Sequence, residues 1–162
     1  MKVLKFGGTS VGSAQRMQDV CKLITSDGEA KIVVLSAMSG TTNTLVEIAD
    51  YLYKKNPEGA NNVINRLEQT YMAHIDQLYT TDEWRQKTEA FLQEEFDCLR
   101  SFTKMLFTSF EEKVILAQGE IMSTNMITTY LKDHDMQATL LSALEMIRTD
   151  KNAEPDFNYI KL

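Results

Sequence analysis

The chain has 162 residues and a mass of 18.5 kDa, which is the usual size of one domain with a single core. Hydrophobic residues make up 43% and charged residues 25%, a composition that excludes a disordered or fibrous protein. The net charge of −6 argues against a nucleic-acid surface, and no apolar run approaches the ~20 residues that span a bilayer. Without a signal-peptide core at its start, the chain is expected to be cytoplasmic, with no nucleic-acid or membrane partner.

The first elements predict a strand, a helix and a second strand. Residues 2–6 alternate polar and apolar side chains before two glycines, which is typical of a short strand that stops at a turn. Ser13 is a suitable N-cap for a helix that ends at Ser26-Asp27-Gly28. The apolar run 32–35 is typical of a parallel strand buried on both faces. We therefore expect a right-handed βαβ unit whose strand-end loops open at the same sheet edge.

The middle of the chain is predicted to be helical. A helix with apolar residues between Leu45 and Leu52 ends at Asn56-Pro57-Glu58-Gly59, and residues 60–118 contain neither Gly nor Pro. This stretch predicts two antiparallel helices, the second beginning with a capping box from Thr80 to Glu83. Its acidic side chains are most simply a solvated outer face.

The remaining elements are shorter. Gly119 is predicted to open a loop before a helix that runs from Glu120 to about Lys132. Residues 138–141 are a candidate strand, and residues 144–148 a further short element. The fold class is therefore α/β, a mainly parallel sheet sandwiched by helices, with a helical insertion at about residues 60–112.

The two cysteines do not predict a metal or redox site. Cys21 and Cys98 are far apart in the chain and lack the spacing of zinc ligands or of a redox dithiol. Both are expected to be buried thiols, as free cysteines usually are. No protein ligand for a metal is identified.

The loop after the first strand is a candidate phosphate-binding loop. It contains Lys5, Gly7, Gly8, Thr9 and Ser10 between a strand end and a helix start. Glycines let backbone N–H groups approach an anion, and a lysine at the strand tip adds a positive charge. The order of residues is neither a Walker A loop nor G-x-G-x-x-G, so on these residues alone an ordinary glycine turn remains open.

The loop after the second strand is rich in hydroxyl groups. Residues 36–44 include Ser36, Ser39 and Thr42 together with Asn43, which suit a small polar ligand. The alternative is that Thr42 or Asn43 simply caps the next helix. Two such loops at one sheet edge favour a ligand site more strongly than either loop does alone.

The chain resembles the aspartokinases of the amino-acid-kinase superfamily from end to end. The strongest motif is Lys5-Phe6-Gly7-Gly8-Thr9-Ser10-Val11. The supporting motifs follow in order: Val33-Val34-Leu35-Ser36-Ala37, Gly40 with Thr42-Asn43, Gln118-Gly119-Glu120-Ile121-Met122-Ser123, and Met146-Ile147-Arg148-Thr149-Asp150. The long helical insertion and the first motif favour this family over N-acetylglutamate kinase, glutamate 5-kinase or uridylate kinase. A non-catalytic binding or assembly module using the acidic helices is the alternative from another class.

The resemblance implies ATP-dependent phosphorylation of the side-chain carboxylate of L-aspartate, an early step towards lysine, threonine and methionine. It implies that Lys5, the catalytic residue, holds the transferring phosphoryl group with Gly7 and Gly8, in a loop lined by Thr9 and Ser10. The aspartate would face Ser36, Thr42 and Glu120, and Glu120 would pair with the substrate ammonium group. Magnesium would arrive bound to the ATP phosphates.

The resemblance also implies how much of such an enzyme is present. Residues 1–162 would be the N-terminal part of the catalytic domain, without the C-terminal nucleotide-binding half and the regulatory ACT domains. We therefore expect negligible turnover from this chain alone, and a homo-oligomer for the full-length parent.

Overall fold

A two-stranded parallel sheet and six α-helices make up the computed structural model, which describes residues 1–160. Strand β1 (Lys2–Phe6), helix α1 (Ala14–Thr25) and strand β2 (Lys31–Leu35) form the expected βαβ unit. The strands pair in parallel from Lys2 against Lys31 to Phe6 against Leu35. Ser13 caps α1, its hydroxyl accepting a hydrogen bond from the N–H of Arg16 at 3.2 Å.

The sheet is covered on one face only among the described residues. Leu4, Phe6 and Val33 pack against the core, while Ile32 and Val34 remain 40% and 46% exposed. The expectation that residues 32–35 are buried on both faces is therefore wrong. An apolar run indicates that both faces can be covered, but only a packing neighbour decides whether they are.

Four long helices surround the main core. They are α2 (Thr41–Tyr53), α3 (Pro57–Leu78), α4 (Asp82–Ser101) and α5 (Ser109–Asp133). As predicted, α3 and α4 are antiparallel: Arg100, in the last turn of α4, forms an ion pair with Glu68 of α3, and Arg85, in the first turn of α4, reaches Asp76 near the end of α3. Leu45, Ile64, Tyr71, Phe96 and Met122 are fully buried between the helices.

The start of α4 is not the predicted capping box. The N-cap is Thr81, one residue later than expected, and no side chain caps the helix. The hydroxyls of Thr80 and Thr81 instead bind Asp133 in the last turn of α5. A partner from a distant element has replaced the local one.

Gly119 does not open a loop. It lies inside α5, which begins ten residues earlier, at Ser109, behind a capping box formed by Thr108 and Glu111. Glycine in a helix interior costs about 1 kcal/mol relative to alanine, a cost that tertiary packing readily offsets. Here the absent side chain permits a close contact with Ala37.

Two further predictions fail in the second half of the chain. Residues 138–141 form no strand, and the predicted short element at 144–148 overlaps only the four-residue helix α6 (Ala143–Met146). Cys98 is exposed, whereas Cys21 is buried as expected, and burial raises the pKa of its thiol to about 12.

Across residues 1–160 there is no helix with both the length and the apolarity of a membrane span.

Candidate active site

The two strand-end loops meet at one edge of the sheet, as the sequence predicts. The N–H of Ser36 donates to the carbonyl of Phe6 at 3.1 Å, which extends the pairing one residue past the strands. Gly8 lies so close to the second loop that a Cβ there would stand 2.9 Å from the carbonyl oxygen of Ala37. The phosphate-loop candidate therefore packs directly on the hydroxyl-rich loop.

The first loop forms a single 3-10 turn with free amide groups. The N–H of Ser10 donates to the carbonyl of Gly7 at 2.9 Å, whereas the amides of Gly8 and Thr9 have no hydrogen-bond acceptor within residues 1–160. The guanidinium of Arg16 donates to the Thr9 carbonyl at 2.7 Å and ties the turn to α1. Exposed N–H donors held in this way are what an anion requires.

Lys5 stands one residue before the end of β1, on the exposed face of the sheet beside Val34. It forms no ion pair with any described residue, unlike Lys2 of the same strand, which binds Asp27 and Glu29. An ammonium group without a protein partner is available to a ligand. The structure thus places Lys5 at the strand tip that leads into the first loop.

The second loop leads directly into α2. The N-cap is Gly40 and makes no side-chain cap, so capping by Thr42 or Asn43 is excluded. Thr42 is exposed at the second position of the helix, where the amide groups and the helix dipole favour a negative charge. Ser36 is half-buried, and its carbonyl accepts a hydrogen bond from the hydroxyl of Ser123 at 2.8 Å.

Gly119 brings the middle of α5 against the second loop. A Cβ on Gly119 would lie 2.6 Å from the Cβ of Ala37 and 3.2 Å from Cγ2 of Thr41. Glu120, the next residue, is exposed. Because α5 begins at Ser109, Glu120 lies beyond the first turn of the helix, so the helix dipole does not account for a carboxylate at this position.

Tyr71 is a buried polar residue at this site that the sequence pattern did not reveal. Its hydroxyl lies 3.0 Å from Oγ1 of Thr41, and both side chains line a groove of about 290 Å³ between the second loop and α3. Burial raises the pKa of Tyr71 to about 12, and the nearby charge of Glu120 acts in the same direction. In the sequence, Tyr71 occupies a position that repeats with the apolar residues of a long helix. Only the presence of its hydroxyl group indicated a polar partner.

The described residues do not build a metal site. No group of three or more His, Cys, Asp or Glu side chains within residues 1–160 is arranged to hold a metal ion. These residues therefore do not fit a magnesium ion held by the protein alone.

Comparison with known proteins gives the class of the chain. The sequence profile described as "Amino acid kinase family" matches residues 1–159. The chain belongs to the amino acid kinase family.

Within that family the chain is similar to aspartokinases. It is 29% identical to lysine-sensitive aspartokinase 3 of Escherichia coli over 157 residues, and 33% identical to chloroplastic aspartokinase 2 of Arabidopsis thaliana over 161 residues. Each alignment covers 95% of this chain but only 34% and 29% of the relative. The chain thus spans about a third of the length of these relatives.

Solved structures agree with this similarity. E. coli aspartokinase III in complex with aspartate and ADP has a TM-score of 0.81 at 27% identity, covering 99% of this chain and 36% of that one. The same enzyme in complex with lysine and aspartate has a TM-score of 0.82 at 26% identity. The aspartate kinase of Clostridium acetobutylicum, at 20% identity and a TM-score of 0.75, shares the fold. These matches do not favour another kinase of the superfamily or a non-catalytic module.

Proposed function

We propose that this chain supplies the acceptor and phosphoryl-binding residues of an aspartate kinase. The observation that supports it is the convergence of three segments at one sheet edge: Gly8 and Gly119 both pack on Ala37, and Ser123 binds Ser36. Similarity to an enzyme solved with aspartate and ADP supports the choice of substrates. The proposed reaction is ATP-dependent phosphorylation of the side-chain carboxylate of L-aspartate.

The reaction requires positioning more than acid-base chemistry. A carboxylate is ionised at neutral pH, so one of its oxygens attacks the γ-phosphorus of ATP without a general base. The new oxygen–phosphorus bond forms as the bond to the bridging oxygen breaks, giving 4-phospho-L-aspartate and ADP. Negative charge spreads over the transferring oxygens, and catalysis consists of meeting it with fixed donors.

The first loop supplies those donors in the proposed reaction. The Lys5 ammonium and the free amides of Gly8 and Thr9 contact the transferring phosphoryl group. Gly7 and Ser10 close the turn that presents these amides, since the Ser10 N–H already binds the Gly7 carbonyl. Magnesium would be carried by ATP rather than held by this chain's own residues, and it would supply positive charge against the phosphates.

The second loop and α5 bind the acceptor in the proposed reaction. Thr42, at the start of α2, faces a carboxylate of aspartate, for which a helix N-terminus is favourable. Glu120 pairs with the substrate ammonium group, and Ser36 lines the same pocket. The product would feed the synthesis of lysine, threonine and methionine, in a cytoplasmic enzyme that is a homo-oligomer at full length.

Calorimetric titration of the chain with inorganic phosphate and with aspartate tests the two halves of the site separately. Lys5→Ala is expected to weaken phosphate binding about 10- to 100-fold, because it removes a charge-assisted hydrogen bond. Glu120→Gln is expected to weaken aspartate binding by a similar factor and to leave phosphate binding unchanged. Lys2→Ala, at the other end of β1, and Glu94→Gln, exposed on α4, are the matched charge controls.

Two results would contradict the proposal. One is a wild-type chain that shows no heat of binding with millimolar aspartate. The other is a loss of affinity that is the same for the control variants as for Lys5→Ala and Glu120→Gln, since this would indicate a general effect of charge.

A further inference from the structure

Thr41 is the point at which three helices meet. It is the first residue of α2 and is almost completely buried. On one side its hydroxyl contacts the Tyr71 hydroxyl of α3 at 3.0 Å. On another side its methyl group faces Gly119 of α5, close enough that a Cβ there would lie 3.2 Å away.

The proposed acceptor residues flank this junction. Thr42 follows Thr41 on α2, and Glu120 follows Gly119 on α5. Successive residues of a helix are separated by about 100° around its axis, so the rotation of the first turn of α2 determines where Thr42 points. No side chain caps α2 at Gly40, which leaves the Thr41 contact as the side-chain hydrogen bond that ties this turn to α3.

We propose that Tyr71 is a positioning residue of the acceptor site, acting through Thr41 to hold Thr42 and Glu120 in a fixed relative arrangement. This inference rests on the proposed function and deepens it. Tyr71 does not touch the substrate. Through Tyr71, the helical insertion helps to position the residues of the aspartate site as well as packing against the core.

The hydroxyl of Tyr71, rather than its ring, carries this role. The ring packs edge-on against Phe96 with their centroids 5.7 Å apart, a contact that phenylalanine would keep. Thr41 is the hydrogen-bond partner of the hydroxyl within residues 1–160. Tyr71→Phe therefore removes the link to α2 and leaves the packing in place.

The test compares Tyr71→Phe with Tyr79→Phe. Tyr79 is also buried, and its hydroxyl donates to the carbonyl of Met126 at 2.9 Å, within a network that lacks the loop residues. Both variants are expected to lower the melting temperature to a similar extent. Tyr71→Phe alone is expected to weaken aspartate binding, by about three- to tenfold, while phosphate binding stays unchanged.

Variants of Thr41, the hydrogen-bond partner of Tyr71, complete a double-mutant cycle. Thr41→Val keeps the shape of the side chain but removes the hydroxyl, and should lower aspartate affinity by the same factor as Tyr71→Phe, with no additional loss in the double variant. Thr41→Ser keeps the hydroxyl and should restore most of the affinity.

The possible failures are distinguishable. Wild-type chain that does not bind aspartate overturns the proposed function and this inference with it. Wild-type chain that binds aspartate, with the same affinity in Tyr71→Phe, overturns only this inference. Equal losses of affinity in Tyr71→Phe and Tyr79→Phe also overturn it, because they would reflect a general loss of stability.

Discussion

Gly8 and Gly119 are required at their positions because another segment lies where a side chain would stand. A Cβ on Gly8 would be 2.9 Å from the Ala37 carbonyl oxygen, and one on Gly119 would be 2.6 Å from the Ala37 side chain. Ala37 is therefore held between β1's loop and α5. The small size of these three residues allows the candidate phosphate loop and the candidate acceptor residues to share one edge of the sheet.

Gly119→Ala separates packing from helix propensity. Propensity alone predicts that alanine stabilises α5 by about 1 kcal/mol. We expect instead a loss of about 1–3 kcal/mol, because the new methyl group would overlap Ala37 and press on Thr41. Urea unfolding measures the difference. Ala90→Gly on the exposed face of α4 calibrates the propensity contribution, and a higher unfolding midpoint for Gly119→Ala would contradict the close packing.

Among the elements, α5 contacts both the second loop and the turn between α3 and α4. Its middle packs on the second loop through Gly119, and its last turn holds the α3–α4 turn through Asp133. The Asp133 carboxylate accepts hydrogen bonds from the N–H and the hydroxyl of Thr80, both at 2.9 Å. The hydroxyl of Thr81 also donates to this carboxylate, and the three hydrogen bonds together are called the Asp133 clasp. Through Asp133, α5 thus fixes the α3–α4 turn, at the end of the helical insertion far from the candidate site.

The charge of Asp133 makes this clasp sensitive to pH. Burial on its own would raise the pKa of Asp133, but the hydrogen bonds from Thr81 and Thr80 outweigh it, and the pKa lies below its usual range. A carboxyl whose pKa is lowered by folding contributes stability above its unfolded pKa of about 3.9, and this contribution is lost as the pH falls through the folded value.

Asp133→Asn tests the clasp. At pH 7 the variant is expected to lose about 1–3 kcal/mol of unfolding free energy, because hydrogen bonds to a charged acceptor are weakened. The difference from wild type should shrink as the pH is lowered from 5 to 3. Asp76→Asn, an exposed partner of Arg85, is the control and should cost less than about 1 kcal/mol. A wild-type/Asp133→Asn difference that does not change with pH would contradict the role of the charge.

At the scale of the whole molecule, one face of the sheet is apolar and uncovered among the described residues. Val3, Ile32 and Val34 are 64%, 40% and 46% exposed, and both strands have a free edge. Contiguous apolar surface beside unpaired strand edges favours association, since burial is worth about 25 cal/mol per Å². The same face carries Lys5, so what covers it also bears on the candidate site.

We expect the chain to self-associate through this face as its concentration rises. Ile32→Lys should keep the chain monomeric, because a charge on the face would have to be desolvated in the contact. Val46→Lys is a matched control, since Val46 is 41% exposed and belongs to α2 rather than to the sheet. Sedimentation velocity over a concentration series measures the mass. Equal association of wild type and both variants would place the contact elsewhere.

Local chemistry in the sequence determined the βαβ unit, the helical pair and the position of both loops. The alternation in β1, the cap at Ser13 and the long stretch without Gly or Pro act over a few residues, and distant contacts did not override them. The convergence of the loops followed from the parallel pairing of the strands. The roles assigned to Lys5, Thr42 and Glu120 came from resemblance to a family and stay predictions.

Only the tertiary structure decided which local signals were used. Gly119 has the character of a helix breaker but continues α5, because its missing side chain admits the second loop. Thr80 has the character of a cap but binds Asp133 of α5 instead. The Thr41–Tyr71 link joins residues thirty positions apart. Each of these outcomes depends on a partner distant in the chain, and a pattern read over one helical turn carries no information about that partner.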